Sequence, residues 1–187
     1  GYLTALNEVK AITGEDQVNV IGYCIAGTTL AMTLALMAKR GDKTVKSATF
    51  FTTMTDFSDQ GEFSVFLTDD FVDGIEEECR ETGYLHSFFM ARTFSFLRSN
   101  DLIYGPAIRS YMMGETPPAF DLLYWNGDGA NLPGCMFLQY LRQLCQDNEF
   151  AEGRFDCLGE TLGVGDVDVP LMSIATPRSR FSGGTRH

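Results

Sequence analysis

Val18-Asn19-Val20-Ile21-Gly22-Tyr23-Cys24-Ile25-Ala26-Gly27 runs directly into Thr28-Thr29-Leu30-Ala31-Met32-Thr33-Leu34-Ala35-Leu36-Met37-Ala38-Lys39-Arg40, and this stretch decides the fold. A short apolar, β-branched run comes first. A string of helix formers comes last, and Lys39, Arg40 and Gly41 close it as helix ends commonly close. The string GYCIAG between them, Gly22 to Gly27, reads as an elbow of the G-x-C-x-G kind, with cysteine where most hydrolases carry serine. Such an elbow holds its nucleophile in a strained backbone conformation, so glycines flank it where side chains would collide. Strand, tight turn and helix together form the context in which the motif carries weight.

Outward from the elbow, Leu3, Leu6, Val9 and Ile12 share one helical face, and Gly14 ends that helix. Residues 45–53 (VKSATFFTT) predict a second strand. Helix, strand, helix, strand is the alternation of an α/β protein with a parallel sheet. From residue 54 to 165 the alternation is lost. Residues 69–81 predict a helix with an acidic first turn and Gly83 past its end, and residues 87–98 predict another. Asn100 is expected to cap a helix ending at Gly114, and residues 134–148 to form a further amphipathic helix. Between those two lies a loop rich in Gly, Pro, Asn and Asp. The organisation expected is therefore a core at 1–53, a helical cap or lid inserted at 54–165, a returning core strand at 166–176 and an unpatterned tail at 177–187. The tail, PRSRFSGGTRH, is basic in an acidic chain. It reads either as a flexible terminus or as a vector-derived or frame-shifted end.

The chain has 187 residues, enough for one domain with a sizeable core. It begins at Gly1 without methionine, which suggests a fragment or a processed product. Fourteen basic against 25 acidic residues give a net charge of -11, which argues against a nucleic-acid partner. No apolar run approaches the roughly 20 residues of a transmembrane helix. Five cysteines without a C-x-x-C pair, and only His86 and His187, argue against a metal site and suit a reducing compartment. Cys79, Cys135, Cys145 and Cys157 read as small buried hydrophobes.

The chemistry centres on Cys24. A thiolate there can attack an ester or thioester carbonyl, favoured by the N-terminus of the following helix, and the Ile25 backbone N–H can donate to an oxyanion. The plainer reading of Cys24 is a buried thiol in a glycine turn. A base is harder to find. An elbow nucleophile is normally followed in the chain by an acid and then a histidine. His86 falls in the expected cap and reads as a surface or packing residue, while His187 is the last residue of the tail. Asp56, just past the second strand, stands either at the edge of a site or as a turn cap. Trp125, the one tryptophan, anchors a lid or subunit contact or simply packs in its loop. The 15 phenylalanines and eight methionines suit an apolar acyl channel or ordinary core packing equally.

Several longer stretches carry a resemblance. They are GYCIAGTTLA around Cys24, SATFFTTMTDFSDQGE at 47–62, TFSFLRSNDLIY at 93–104, PPAFDLLYWNGDGANLPG at 117–134 with the following YLRQL, and DVDVPLMSIAT at 166–176. In this order the chain resembles the catalytic domain of class I polyhydroxyalkanoate synthases, the bacterial polyester polymerases. The resemblance runs from Gly1 to about Thr176 and is nearer class I than class II at YWNGDGANLPG.

That resemblance implies an α/β-hydrolase fold, present in part, with a helical cap. It implies Cys24 as nucleophile, Ile25 as an oxyanion donor through its N–H, Gly22 and Gly27 as the elbow glycines and Trp125 as the family's WNGD tryptophan. It also implies a 3-hydroxyacyl-coenzyme A substrate, a polyester chain as product, no cofactor, a homodimer in the parent and a cytoplasmic place on the granule surface. Where the family continues with a REDH-like segment holding its catalytic aspartate, this sequence reads PRSRFSGG, and the family's later histidine has no counterpart. The chain is therefore expected to be an internal segment of the catalytic domain and inactive by itself. Two alternatives stand beside the polymerase: a cysteine-type acyl hydrolase or thioesterase on the same fold, and a non-catalytic granule or subunit interaction module.

Overall fold

The structure, a computed structural model, describes residues 1–97, 99–116 and 128–175. The chain divides into two compact units. Gly1–Gln60 with the chain from Arg142 onward forms the first, and Gly61–Leu141 forms the second.

The first unit is built on a parallel sheet. Helix α1 (Tyr2–Thr13) stops at Gly14, whose left-handed backbone returns an N–H to the Lys10 carbonyl. Strand β1 (Val18–Tyr23) leads through Cys24 into helix α2 (Ile25–Lys39), and strand β2 (Val45–Phe51) follows. After the second unit come a hairpin, β5 (Phe155–Cys157) with β6 (Glu160–Leu162), and strand β7 (Leu171–Ile174). The sheet order is β1-β2-β7, parallel throughout, with Gly22 opposite Phe50 and Phe50 opposite Ser173. This is the α/β arrangement expected from the alternation of helix and strand.

Period-two patterning sets which side of the sheet is covered. Ala48 and Phe50 are buried, and Leu30 of α2 lies over Gly22 on the same face. Leu34 and Ala35 of α2 complete this core. The basic end of α2 is tied to later chain by a Lys39–Asp166 ion pair at 2.9 Å and an Arg40 guanidinium donating to the Leu158 carbonyl at 3.0 Å. On the opposite face, among the described residues, Ile21, Tyr23 and Met172 are 71%, 68% and 57% exposed. Parallel sheets are ordinarily covered on both faces, so this apolar face is unusual.

The second unit is mainly helical and, among the described residues, contributes no strand to that sheet. Helix α3 (Asp69–Thr82) opens with Asp69 and Asp70, suited to a helix N-terminus, and ends at the left-handed Gly83. A two-residue pair, β3 (Tyr84–Leu85) with β4 (Leu132–Pro133), and helix α4 (Ser87–Leu97) complete its frame. Val72, Ile75, Cys79, Leu85 and Leu141 form its core.

Several expectations are corrected in detail. The mainly helical unit spans Gly61–Leu141, whereas the hairpin and the described residues from Arg142 on belong to the first unit. Asn100 does not stand at the cap position, which falls to Ser99. It begins a π-helical turn, Asn100–Tyr104, and its carbonyl accepts the Gly105 N–H, where a Cβ would lie 2.7 Å from that oxygen. The 134–148 helix is α-helical only over Gly134–Gln139, widens to a π-turn at Tyr140–Gln146 and stops before Asn148. Strand β7 is shorter than 166–176. Thr176 and the 177–187 tail, His187 included, lie outside the described residues, as does Trp125.

Candidate active site

Cys24 stands between β1 and α2 with φ 53° and ψ -129°, a strained conformation for a residue bearing a Cβ. Its backbone is held on both sides. The Cys24 N–H donates to the Phe51 carbonyl at 3.0 Å, and its carbonyl accepts from Gly27 at 3.0 Å. Helix α2 thus starts at Ile25, three residues earlier than the run of helix formers suggested, because the chain turns within a single residue. The thiol is exposed. Ile25 is the first residue of α2, so its N–H belongs to the helix end that lacks intrahelical acceptors.

Both glycines are needed for contact. A Cβ on Gly22 would lie 2.6 Å from the Gly27 Cα, and one on Gly27 would run into the Thr53 side chain. Counted strictly, the fifth position of G-x-C-x-G is Ala26, whose methyl is exposed and harmless; the close approach falls one residue later, at Gly27.

The loop after β2 supports the elbow. Thr28 donates its hydroxyl to the Met54 carbonyl at 2.6 Å, and the buried Thr53 lies against Gly27. Asp56 does act as a turn cap, its carboxylate accepting the Ser58 N–H at 2.9 Å, but it also accepts from the Asn148 amide at 2.9 Å. Sequence reading passed over Thr28, Thr53 and Asn148. Asn148 alone left a local sign, an Asn before a short helix (Glu149–Glu152) and in a left-handed conformation, φ 51°.

Thr55 is fully buried, and its hydroxyl has no hydrogen-bond partner among the described residues. Thr55→Val removes that stranded dipole while keeping the shape. It should leave thermal stability unchanged or raise it by about 1 kcal/mol. A fall in the melting temperature would show that the hydroxyl is bonded in solution.

The other cysteines divide. Cys79 and Cys145 are buried as expected, and burial pushes the Cys79 thiol up, keeping it protonated. Cys135 is exposed and Cys157 partly so, contrary to the expectation. Cys135 lies in the first turn of a short helix, where it is Gly134 that packs against Cys79, and Cys157 sits at a hairpin end. His86 is exposed in the second unit, with Nδ1 accepting the Phe88 N–H at 3.1 Å. Among the described residues no three His, Cys, Asp or Glu groups converge to hold a metal ion, and no helix is long and apolar enough to cross a membrane.

No protein-family model matches the chain. Individual relatives do. It is 41% identical over 178 residues to the poly(3-hydroxyalkanoate) polymerase subunit PhaC of Rhizobium meliloti, covering 95% of this chain and 29% of that protein. It is 41% identical to the poly(3-hydroxyalkanoate) polymerase of Methylorubrum extorquens, over 94% of this chain and 29% of that protein. The PhaC subunit of Cupriavidus necator is 37% identical, over 90% of this chain and 30% of its own. The chain thus spans less than a third of the length of these curated relatives. By sequence, nearly end to end, it is a relative of the poly(3-hydroxyalkanoate) polymerases, matched to one region of them.

Proposed function

We propose that this chain carries the nucleophile of a polyester polymerase, and that Cys24 is that nucleophile. The observation that carries the reading is the elbow: an exposed thiol on a positive-φ residue, between a parallel strand and a helix N-terminus. Its support from outside is the similarity to named polymerases along nearly the whole chain.

In this reading the Cys24 sulfur attacks the thioester carbonyl of a 3-hydroxyacyl-coenzyme A. The carbonyl oxygen takes up negative charge, which the Ile25 N–H stabilises. The bond to the coenzyme A sulfur breaks, and coenzyme A leaves as a thiol, taking a proton. The 3-hydroxyl of another unit then loses its proton to a base and attacks the acyl-cysteine carbonyl; the ester bond forms, the bond from the carbonyl carbon to the Cys24 sulfur breaks, and the sulfur leaves as the thiolate, ready for the next unit. The base is assigned to a histidine oriented by an aspartate, the pair that the family carries beyond the strand matched by β7. The fold is read as an α/β-hydrolase whose core is interrupted by a helical cap insertion, the role expected of residues 54–165; a cap is one means of keeping water from an acyl-cysteine. Homodimerisation and a cytoplasmic place on the polyester granule belong to the same reading.

The test uses the longest reading frame that contains this chain, incubated with 3-hydroxybutyryl-coenzyme A. Thiol release accompanied by polymer supports the polymerase. Thiol release with free hydroxy acid turns the assignment to a hydrolase, since water and a hydroxyl attack the same intermediate. With neither, an interaction module remains. After β7 the sequence reads ATPRSRFSGGTRH, which holds no Asp or Glu. The 187 residues by themselves should release thiol no faster than their Cys24→Ala variant.

A further inference from the structure

The loop after β2 is fastened at its far end by residues that lie about ninety positions later in the chain. Asn148 uses both ends of its amide. Its Nδ2 donates to the Asp56 carboxylate at 2.9 Å, and its Oδ1 accepts the Phe57 N–H at 2.9 Å. Gln60 donates to the Cys145 carbonyl a few residues on. These bonds join the passage by which the chain leaves the first unit, at Gln60, to the passage by which it returns, at Arg142. The near end of the same loop braces the elbow, through Thr53 against Gly27 and Met54 bonded to Thr28. Asn148 also spends backbone energy to do this, since it holds a left-handed conformation.

We propose that Asn148 is a positioning residue: by clasping Asp56 and the Phe57 backbone, it fixes the 52–60 loop and, through that loop, the Cys24 elbow. The proposal rests on Cys24 being the nucleophile. The Asn before a short helix is the only local sign of the clasp, and its partners lie too far away in the chain for that sign to reveal them.

Asn148→Gly removes the side chain while accepting the left-handed backbone, so it isolates the clasp from strain. In the 187-residue chain, the Phe57 and Ser58 amides should exchange with deuterium about tenfold faster than in the parent, while α3 is unchanged. In the longest reading frame, kcat should fall about 10- to 100-fold with KM little altered, as loss of positioning predicts. Asn148→Asp sets two carboxylates against each other, so its activity should recover as the pH is lowered and one of them takes up a proton. Adding Asp56→Asn to Asn148→Asp should restore the pair and the rate at neutral pH. Unchanged exchange in Asn148→Gly would overturn the clasp, and this reading needs no activity. Faster exchange with an unchanged kcat, in a protein that Cys24→Ala inactivates, would overturn the positioning role and leave the function intact. An active Cys24→Ala protein would instead remove the function on which the proposal rests. If Asn148→Gly does not fold, the pH recovery of Asn148→Asp and its rescue by Asp56→Asn decide alone, their absence counting against the proposal.

Discussion

Cys24→Ala, made in the longest reading frame containing this chain, should abolish thiol release from 3-hydroxybutyryl-coenzyme A, a loss of about four orders of magnitude or more. The size follows from the role. Without the sulfur there is no acyl-enzyme, and what remains is binding and any oxyanion donors, which act on a carbonyl that nothing attacks. Folding should survive, because the Cys24 backbone makes the elbow's hydrogen bonds and its exposed side chain packs little. Cys24→Ser should retain a trace, since a hydroxyl is far less ionised than a thiol and needs a stronger base. Cys135→Ala is the matched comparison, an exposed thiol outside the first unit, and should leave release unchanged. A Cys24→Ala protein with normal circular dichroism and normal release would end the nucleophile assignment.

What the sequence made legible was whatever is local. The β1–Cys24–α2 unit could be read because strand pattern, turn glycines and helix formers are adjacent, and each constrains the next. Helices α1 and α3 were bounded almost to the residue by Gly14 and Gly83, whose left-handed conformations stop a helix by themselves. The parallel sheet followed from alternation alone. What was hidden depends on partners far away in the chain or on geometry that composition does not mark. Asn148 and Asp56 meet across 92 positions, so the sequence offered Asp56 as a site edge or a turn cap and showed nothing of its bond to Asn148. The 134–148 stretch has a helical pattern throughout, and nothing in that pattern shows the widening at Tyr140–Gln146. Cys135 looked like a core thiol because cysteines usually are. Its exposure follows from Gly134 taking the close contact with Cys79 in its place.

Gly22→Ala should be among the most damaging single methyls that can be added to the described residues. The new Cβ would stand 2.6 Å from the Gly27 Cα and 3.1 Å from the Leu30 side chain. Leu30 can rotate, but the Gly27 backbone cannot move aside, because its N–H is bonded to the Cys24 carbonyl and its Cα faces Thr53. Relief must come from opening the angle between β1 and α2, which disturbs the core built by Leu34, Ala35 and Phe50. Overpacking of this kind costs about 3 kcal/mol or more. In a chain of this size that lowers the melting temperature by about 6–12 °C. Gly27→Ala should cost a comparable amount, since its Cβ would meet the buried Thr53 side chain down to that residue's own Cβ, and combining it with Thr53→Ala, which takes away Oγ1 and Cγ2, should recover part of the loss. Gly74→Ala, inside α3 with nothing within 4 Å of the new methyl, should do the reverse and stabilise by about 0.5–1 kcal/mol. Thermal melts of these variants therefore separate close approach at the elbow from any general sensitivity to losing a glycine. If Gly22→Ala melted with the parent, β1 and α2 would not meet as closely as the elbow requires.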